Sequence, residues 1–188
     1  MTLKISFDFF KGSTIDIAKR LLGSELVITT NEKEVGGIIT ETEAYTEDDP
    51  ASHAYKGKQT KRNKTMFLSA GHIYIYFIYG MYHCFNIVTE EEGVGSAVLI
   101  REMTPSRGID QIQKNRPHIK NPKDLLNGPA KLMLGLNIPT SLNGKHIIDN
   151  PNIRLEYKAP AKNIQSYPRI GITKGTDRLW RFRATLSD

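Results

Sequence analysis

Cysteine is almost absent. With Cys84 alone among 188 residues, the chain can form neither an internal disulfide nor a zinc site built on cysteines, and a reducing intracellular compartment fits that usage. No stretch approaches the roughly 18 apolar residues that a membrane span needs; the longest candidate, Ile73 to Tyr79, falls far short. The opening Met1-Thr2-Leu3-Lys4 lacks the basic-then-apolar pattern of a secretory leader. Internal repeats, low-complexity tracts and linker-like breaks in composition are also missing, so residues 1–188 read as one domain. A hydrophobic content of 39% is enough to build its core without covalent or metal support. Lys and Arg number 26 against 20 Asp and Glu, a net charge of +6. That mild excess favours a polyanionic partner such as nucleic acid, although a soluble basic enzyme of another kind would carry it too.

Periodicity predicts a mixed chain. Ser13 or Thr14 caps a short amphipathic helix through Ile15, Ala18, Leu21 and Leu22, stopped at Gly23. Strand-like runs at Glu25 to Thr30 and Val35 to Tyr45 flank a polar turn at Asn31 to Lys33, and a long loop begins at Thr46. A second hairpin joins His72–Tyr79 to Cys84–Thr89, followed by a strand over Ala97–Arg101. Helices are predicted at Gly108 to Lys114 and after Gly128, with Pro129 at the first helical position. Short strands follow at Asn152–Tyr157, Ile170–Thr173 and Leu179–Ala184. The sum is an α+β fold: a curved, largely antiparallel sheet, a few short flanking helices and a protruding β-hairpin.

Three features have chemical potential. Period-2 alternation puts Glu41 and Glu43 on one face of a strand beside a long loop, which suits either acid–base or metal chemistry or simply a solvated strand edge. The loop changes sign from Glu47, Asp48 and Asp49 to Lys56, Lys58, Lys61, Arg62 and Lys64, five cations in nine residues. Such a run is either a phosphate-contacting patch or a hydrated surface. Tyr74, Tyr76, Tyr79 and Tyr82 crowd one hairpin around Gly80. Tyrosines are common in strands, but an aromatic at the tip has little core to fill and is suited to wedging between base pairs, and one three residues earlier to stacking on an extruded base.

Taken in order, Ile39-Thr40-Glu41-Thr42-Glu43-Ala44-Tyr45, His53, Gln59-Thr60-Lys61-Arg62-Asn63, Met66-Phe67, Tyr74 through Tyr82, Asn86, Arg101 and, weakly, Gly128-Pro129-Ala130-Lys131 resemble the alkyladenine (3-methyladenine) DNA glycosylase family, the monofunctional type also found in mammals. The resemblance runs from about Phe9 to the C-terminus, and its specificity lies in the ordered set. It implies hydrolysis of the bond between a damaged purine and its sugar, without lyase activity and without a metal or other cofactor. Glu43 would be the general base acting on water, with Glu41 in support and Arg101 and the backbone of Ile170 holding that water. Tyr45 and His53 on one side and Tyr76 on the other would enclose the base, and Asn86 would guard the pocket floor against guanine. Tyr79 would fill the gap in the duplex, with Met81, Tyr82, Lys58, Lys61 and Arg62 also on the DNA.

The loop between Tyr45 and His53 is one residue shorter than in mammalian members, and Ser69 and His83 replace residue types familiar there. Without their long N-terminal extension, the chain fits a minimal, bacterial-type, cytoplasmic and nucleoid-associated enzyme, acting as a monomer on double-stranded DNA. Two other readings compete: a metal-dependent nuclease using Glu41, Glu43 and Asp48 or Asp49, and a non-catalytic nucleic-acid-binding module built on the basic loop and aromatic hairpin.

Overall fold

One long strand organises the structure, a computed structural model that describes residues 3–158 and 161–186. This strand, β3 (Lys33–Tyr45), follows β2 (Ser24–Thr30) through Asn31 and Glu32, both at positive φ, the backbone a two-residue hairpin requires. β1 (Leu3–Lys4) lies at the far edge, β4 (Ile73–Ile78) and β5 (Tyr82–Val88) form the aromatic hairpin, and β6 (Ala97–Arg107), β7 (Ile153–Tyr157), β8 (Lys162–Tyr167) and β9 (Arg181–Thr185) complete the sheet. Every pairing is antiparallel, in the order β1-β7-β2-β3-β6-β5-β4, with β9 joined to β3 and β8 to β9. Together with α1 (Thr14–Arg20), α2 (Ile109–Asn115) and α3 (Pro129–Gly135), this is the α+β fold the sequence predicts. Among the described residues no helix is long and apolar enough to cross a membrane.

β3 changes neighbours halfway along. β6 runs beside it from Gly36 to Tyr45, while the other edge pairs first with β2 and then, over Glu41–Glu43, with β9. Ser13 caps α1 by accepting the Asp16 N–H, and Ile17, Ala18 and Leu21 on its apolar face are buried on the sheet. Thr42 points at this helix, its hydroxyl donating to the Ala18 carbonyl at 2.9 Å. Strand alternation then directs Glu41, Glu43 and Tyr45 to the opposite face.

The β6 register opposes Thr42 to Ile100 and Glu41 to Glu102, leaving Arg101 as the extra residue of a bulge. Bulges re-aim side chains, and this one points Arg101 at both carboxylates. The main core lies between the sheet and the three helices. A smaller cluster of Ala54, Met66, Phe67, Tyr74, Val88 and Ala97 anchors the long loop after Tyr45.

Two strand predictions need correction, and β8 has no counterpart among them. Ile170–Thr173 is not a strand: Gly171 adopts φ +78 and the Ile170 N–H is taken by a side chain. β8 went unpredicted because it lacks apolar alternation and is exposed along most of its length. β6 continues past Arg101 to Arg107 despite Pro105. Because β5 pairs only with Ala97–Leu99, the later part of β6 has no strand on its other edge, where Met103 donates to the Leu126 carbonyl and Pro105 has no ladder bond to lose.

Candidate active site

Glu43 is completely buried, so it is no solvated edge. Its Oε1 accepts the backbone N–H of Ile170 at 2.9 Å and lies 3.3 Å from Nη1 of Arg101, while its Oε2 accepts the Tyr45 hydroxyl at 2.7 Å. A carboxylate oxygen has two acceptor positions, and the Tyr45 hydroxyl fills one of those on Oε2. Burial, then the adjacent Glu43 carboxylate, push the Tyr45 phenol well above the ordinary tyrosine range, keeping it a neutral donor. Glu41 is bound differently, facing Arg101 at 3.2 Å, Arg181 at 3.1 Å and Arg183 at 3.7 Å.

Sequence reasoning missed the anchor beneath this arrangement. Arg169, its side chain fully enclosed, forks onto Asp49 with both terminal nitrogens and donates to the carbonyls of Ala44 at 2.9 Å and Gly175 at 3.2 Å. Its guanidinium stacks on Tyr45 at 4.7 Å and on Trp180 at 5.4 Å, and Arg178 covers Trp180 at 4.5 Å. No pattern in a single sequence separates an arginine buried under a loop from one dissolved on it. The acidic block once open to metal ligation is likewise engaged: Glu47 accepts the Gly95 N–H at 2.9 Å, Asp48 pairs with Arg178 at 3.1 Å and Asp49 with Arg169. Among the described residues no three His, Cys, Asp or Glu side chains converge as a metal site.

In front of Glu43 lies a cavity of about 430 Å³ that unites most of the predicted positions: Tyr45, His53, Tyr76, Asn86, Arg101 and Ile170, with Tyr79 and Tyr82 at its hairpin side. Met66, Leu99 and Ile172 also line it without having been predicted. Asn86 is buried and directs its amide nitrogen at the carbonyls of Tyr74 and Cys84, which leaves its oxygen as the end available to a ligand. His53 and Tyr76 meet edge to face, centroids 4.6 Å apart and planes at 86°, so the two expected walls are not parallel plates in this structure. The Tyr74 hydroxyl lies 3.0 Å from Nδ1 of His53, and the Asn63 amide donates to the His53 carbonyl at 2.7 Å. Loss of hydration, then the nearby Arg62 charge, hold the His53 pKa below the ordinary histidine value, favouring the neutral ring.

The hairpin tip stands out from the surface: Tyr79 is 76% and Met81 66% exposed, and Tyr79 adopts φ +54, uncommon for an aromatic residue. Arg62 is tied in, donating to the Phe77 carbonyl at 2.8 Å and lying 5.7 Å from the Tyr76 ring centre. Lys58 and Lys61 are exposed on the same loop, with no partner among the described hydrogen bonds and ion pairs of their side chains. Met81 does not line the cavity; with Tyr82 it borders a separate groove, beside Met133 and Leu134 of α3.

A buried carboxylate at the wall of an aromatic-lined cavity, with an exposed aromatic tip beside a cationic loop, is an arrangement suited to an enzyme that acts on the bases of nucleic acid. Residues 8–187 match the family described as methylpurine-DNA glycosylase. The chain is 47% identical over 173 residues to a protein of Francisella tularensis subsp. tularensis, spanning 90% of this chain and 89% of that one. It is 42% identical over 189 residues to a protein of Methanoculleus marisnigri, spanning 97% and 94%. Both relatives are named "Putative 3-methyladenine DNA glycosylase". The chain therefore belongs to the methylpurine-DNA glycosylase family. It is a monofunctional DNA glycosylase of base excision repair, a hydrolase of N-glycosyl bonds that binds DNA.

Proposed function

We propose that the protein excises damaged purines of the 3-methyladenine, 7-methylguanine, hypoxanthine and etheno-adenine class from double-stranded DNA, with Glu43 as general base. The observation that carries this reading is the buried Glu43 carboxylate, held by Ile170, Arg101 and Tyr45 yet facing the cavity. Water placed against Oε2 gives its proton to Glu43 as its oxygen bonds to the sugar C1′. The C1′–N bond breaks and its electron pair leaves with the base. A base alkylated on a ring nitrogen leaves as a neutral molecule, and its positive charge beforehand is attracted to aromatic faces by about 0.5–2 kcal/mol. A neutral lesion such as hypoxanthine needs proton donation and selective hydrogen bonds as well.

Extruding a nucleotide costs a few kcal/mol, least at damaged or mispaired sites. Tyr79, flanked by Met81 and Tyr82, offsets part of that cost by occupying the gap, while Lys58, Lys61 and Arg62 lie along the phosphates. Stacking of the base among Tyr45, His53 and Tyr76 requires His53 to turn out of its edge-to-face contact with Tyr76. Asn86, at the pocket floor, disfavours guanine by crowding the exocyclic amine. This reading takes residues 1–188 as one catalytic domain, acting as a monomer in the cytoplasm on nucleoid DNA.

The deciding experiment incubates the protein, in excess chelator, with duplexes that each carry one defined lesion, and assays free base and strand breaks separately. The proposal expects free base and an intact backbone until alkali is added. Chelator-sensitive nicking would instead favour a nuclease, and binding without release a non-catalytic module.

A further inference from the structure

Both oxygens of Glu43 are held by groups that depend on one other residue. The N–H on Oε1 belongs to Ile170, the chain neighbour of Arg169, and the phenol on Oε2 belongs to Tyr45, whose ring lies against the Arg169 guanidinium at 4.7 Å. Arg169 is in turn fixed from several directions by the Asp49 fork, the carbonyls of Ala44 and Gly175, and the Trp180 ring. Asp49 is held by the Ala51 N–H at 3.1 Å. Replacing a buried ion pair with well-packed apolar residues is often neutral or stabilising, so stability alone does not call for this one. A bidentate fork does fix direction, which apolar packing does not.

We infer that Arg169, locked by Asp49, is a positioning residue that orients the Glu43 carboxylate through Ile170 on one oxygen and Tyr45 on the other. The inference rests on Glu43 being the base. Misplacement of a reacting group by about 1 Å can lower a rate by about 10²-fold, and loosening the pair would act in this way without touching the DNA.

The test compares single-turnover excision with affinity for a lesion duplex in Arg169→Lys, Asp49→Asn and Gly175→Ala, next to Glu43→Gln. Lysine keeps the charge and loses the fork; asparagine keeps the shape and loses the charge. Gly175→Ala keeps both charged groups but places a Cβ 2.8 Å from Oδ1 of Asp49 and 3.2 Å from Nη2 of Arg169, at φ +61, in a loop that is not fully buried. The first two variants are expected to lose about 10²-fold in rate, and Gly175→Ala a smaller factor, all with affinity unchanged. In a Tyr45→Phe background Asp49→Asn should cost less, because one of the two routes is already cut. Should Arg169→Lys and Asp49→Asn fail to fold, Gly175→Ala decides. A folded variant that excises at the parental rate, or rate and affinity falling together, overturns the inference. Parental excision by Glu43→Gln would sink the base assignment itself, whereas an inactive Glu43→Gln beside fully active positioning variants would sink only the role of Arg169.

Discussion

The hydroxyl of Tyr45 donates to Oε2 of Glu43 at 2.7 Å from two positions further along the same strand face. The other oxygen faces only donors, the Ile170 N–H and Arg101. Glutamine fits this frame if its carbonyl takes the Ile170 side and its amide donates to a rotated Tyr45 hydroxyl. Glu43→Gln should therefore fold and bind lesion duplex as the parent does. Excision should fall by about 10²–10⁴-fold, the usual share of a general base, as read by single-turnover release of hypoxanthine.

His53 supplies a pH test. Its folded pKa lies below the ordinary value of about 6.5 because its ring is shielded from water and Arg62 is near. The unfolded chain therefore takes up this proton first as pH falls. The stability contributed is fully present above about 6.5 and is lost as pH drops through the folded value. Thermal melts between pH 7.5 and pH 5, about the range in which histidine titrates, should fall less steeply for His53→Gln than for the parent. An NMR titration should put the His53 midpoint below the ordinary histidine value of about 6.5.

Tyr79 separates folding from DNA contact. At φ +54 and 76% exposed, it occupies a left-handed conformation that costs a non-glycine residue roughly 1–2 kcal/mol. Tyr79→Gly should melt at or above the temperature of Tyr79→Ala, since glycine accepts that backbone freely. Both should bind lesion duplex more weakly by about 1–3 kcal/mol, the value of a lost base–aromatic stack. Equal affinity of parent and variants in a fluorescence titration would remove Tyr79 from the wedge role.

Lys58 and Lys61 should act through charge alone. If each meets a phosphate, changing either to alanine weakens binding to lesion and undamaged duplexes alike. It also lowers the slope of log affinity against log salt by about 1. Arg62 should behave differently, because it also supports the Phe77 carbonyl and the Tyr76 face. Arg62→Ala should alter lesion discrimination as well as the salt slope.

Much of the fold was legible wherever alternation or a cap was strong. The α1 helix begins at its Ser13 cap, and β3 and the aromatic hairpin lie within a residue or two of their predicted bounds. Legibility failed where tertiary partners decide conformation: β8 has no apolar face, and Ile170 gives its N–H to a carboxylate rather than to a strand. At the site, period-2 reasoning put Glu41 and Glu43 on one face but could not tell a solvated edge from a buried one. That difference comes from Arg101 on its bulge, from Arg181 and Arg183 on β9 and from the loop holding Ile170. Arg169 and Asp49 lie 120 positions apart, and nothing in either local sequence announces the other.

Ile170 follows Glu43 by 127 positions, and β9, which completes the edge of Glu41–Glu43, comes later still. During synthesis the aromatic walls and the cationic loop leave the ribosome well before the segment that aligns the carboxylate, and contacts so distant in sequence form late. The groups proposed to meet DNA are thus made before the groups that hold the Glu43 carboxylate. If Glu43 is the base, hydrolytic power depends on the β9 end of the chain, and a polypeptide cut short before Ile170 should release no base.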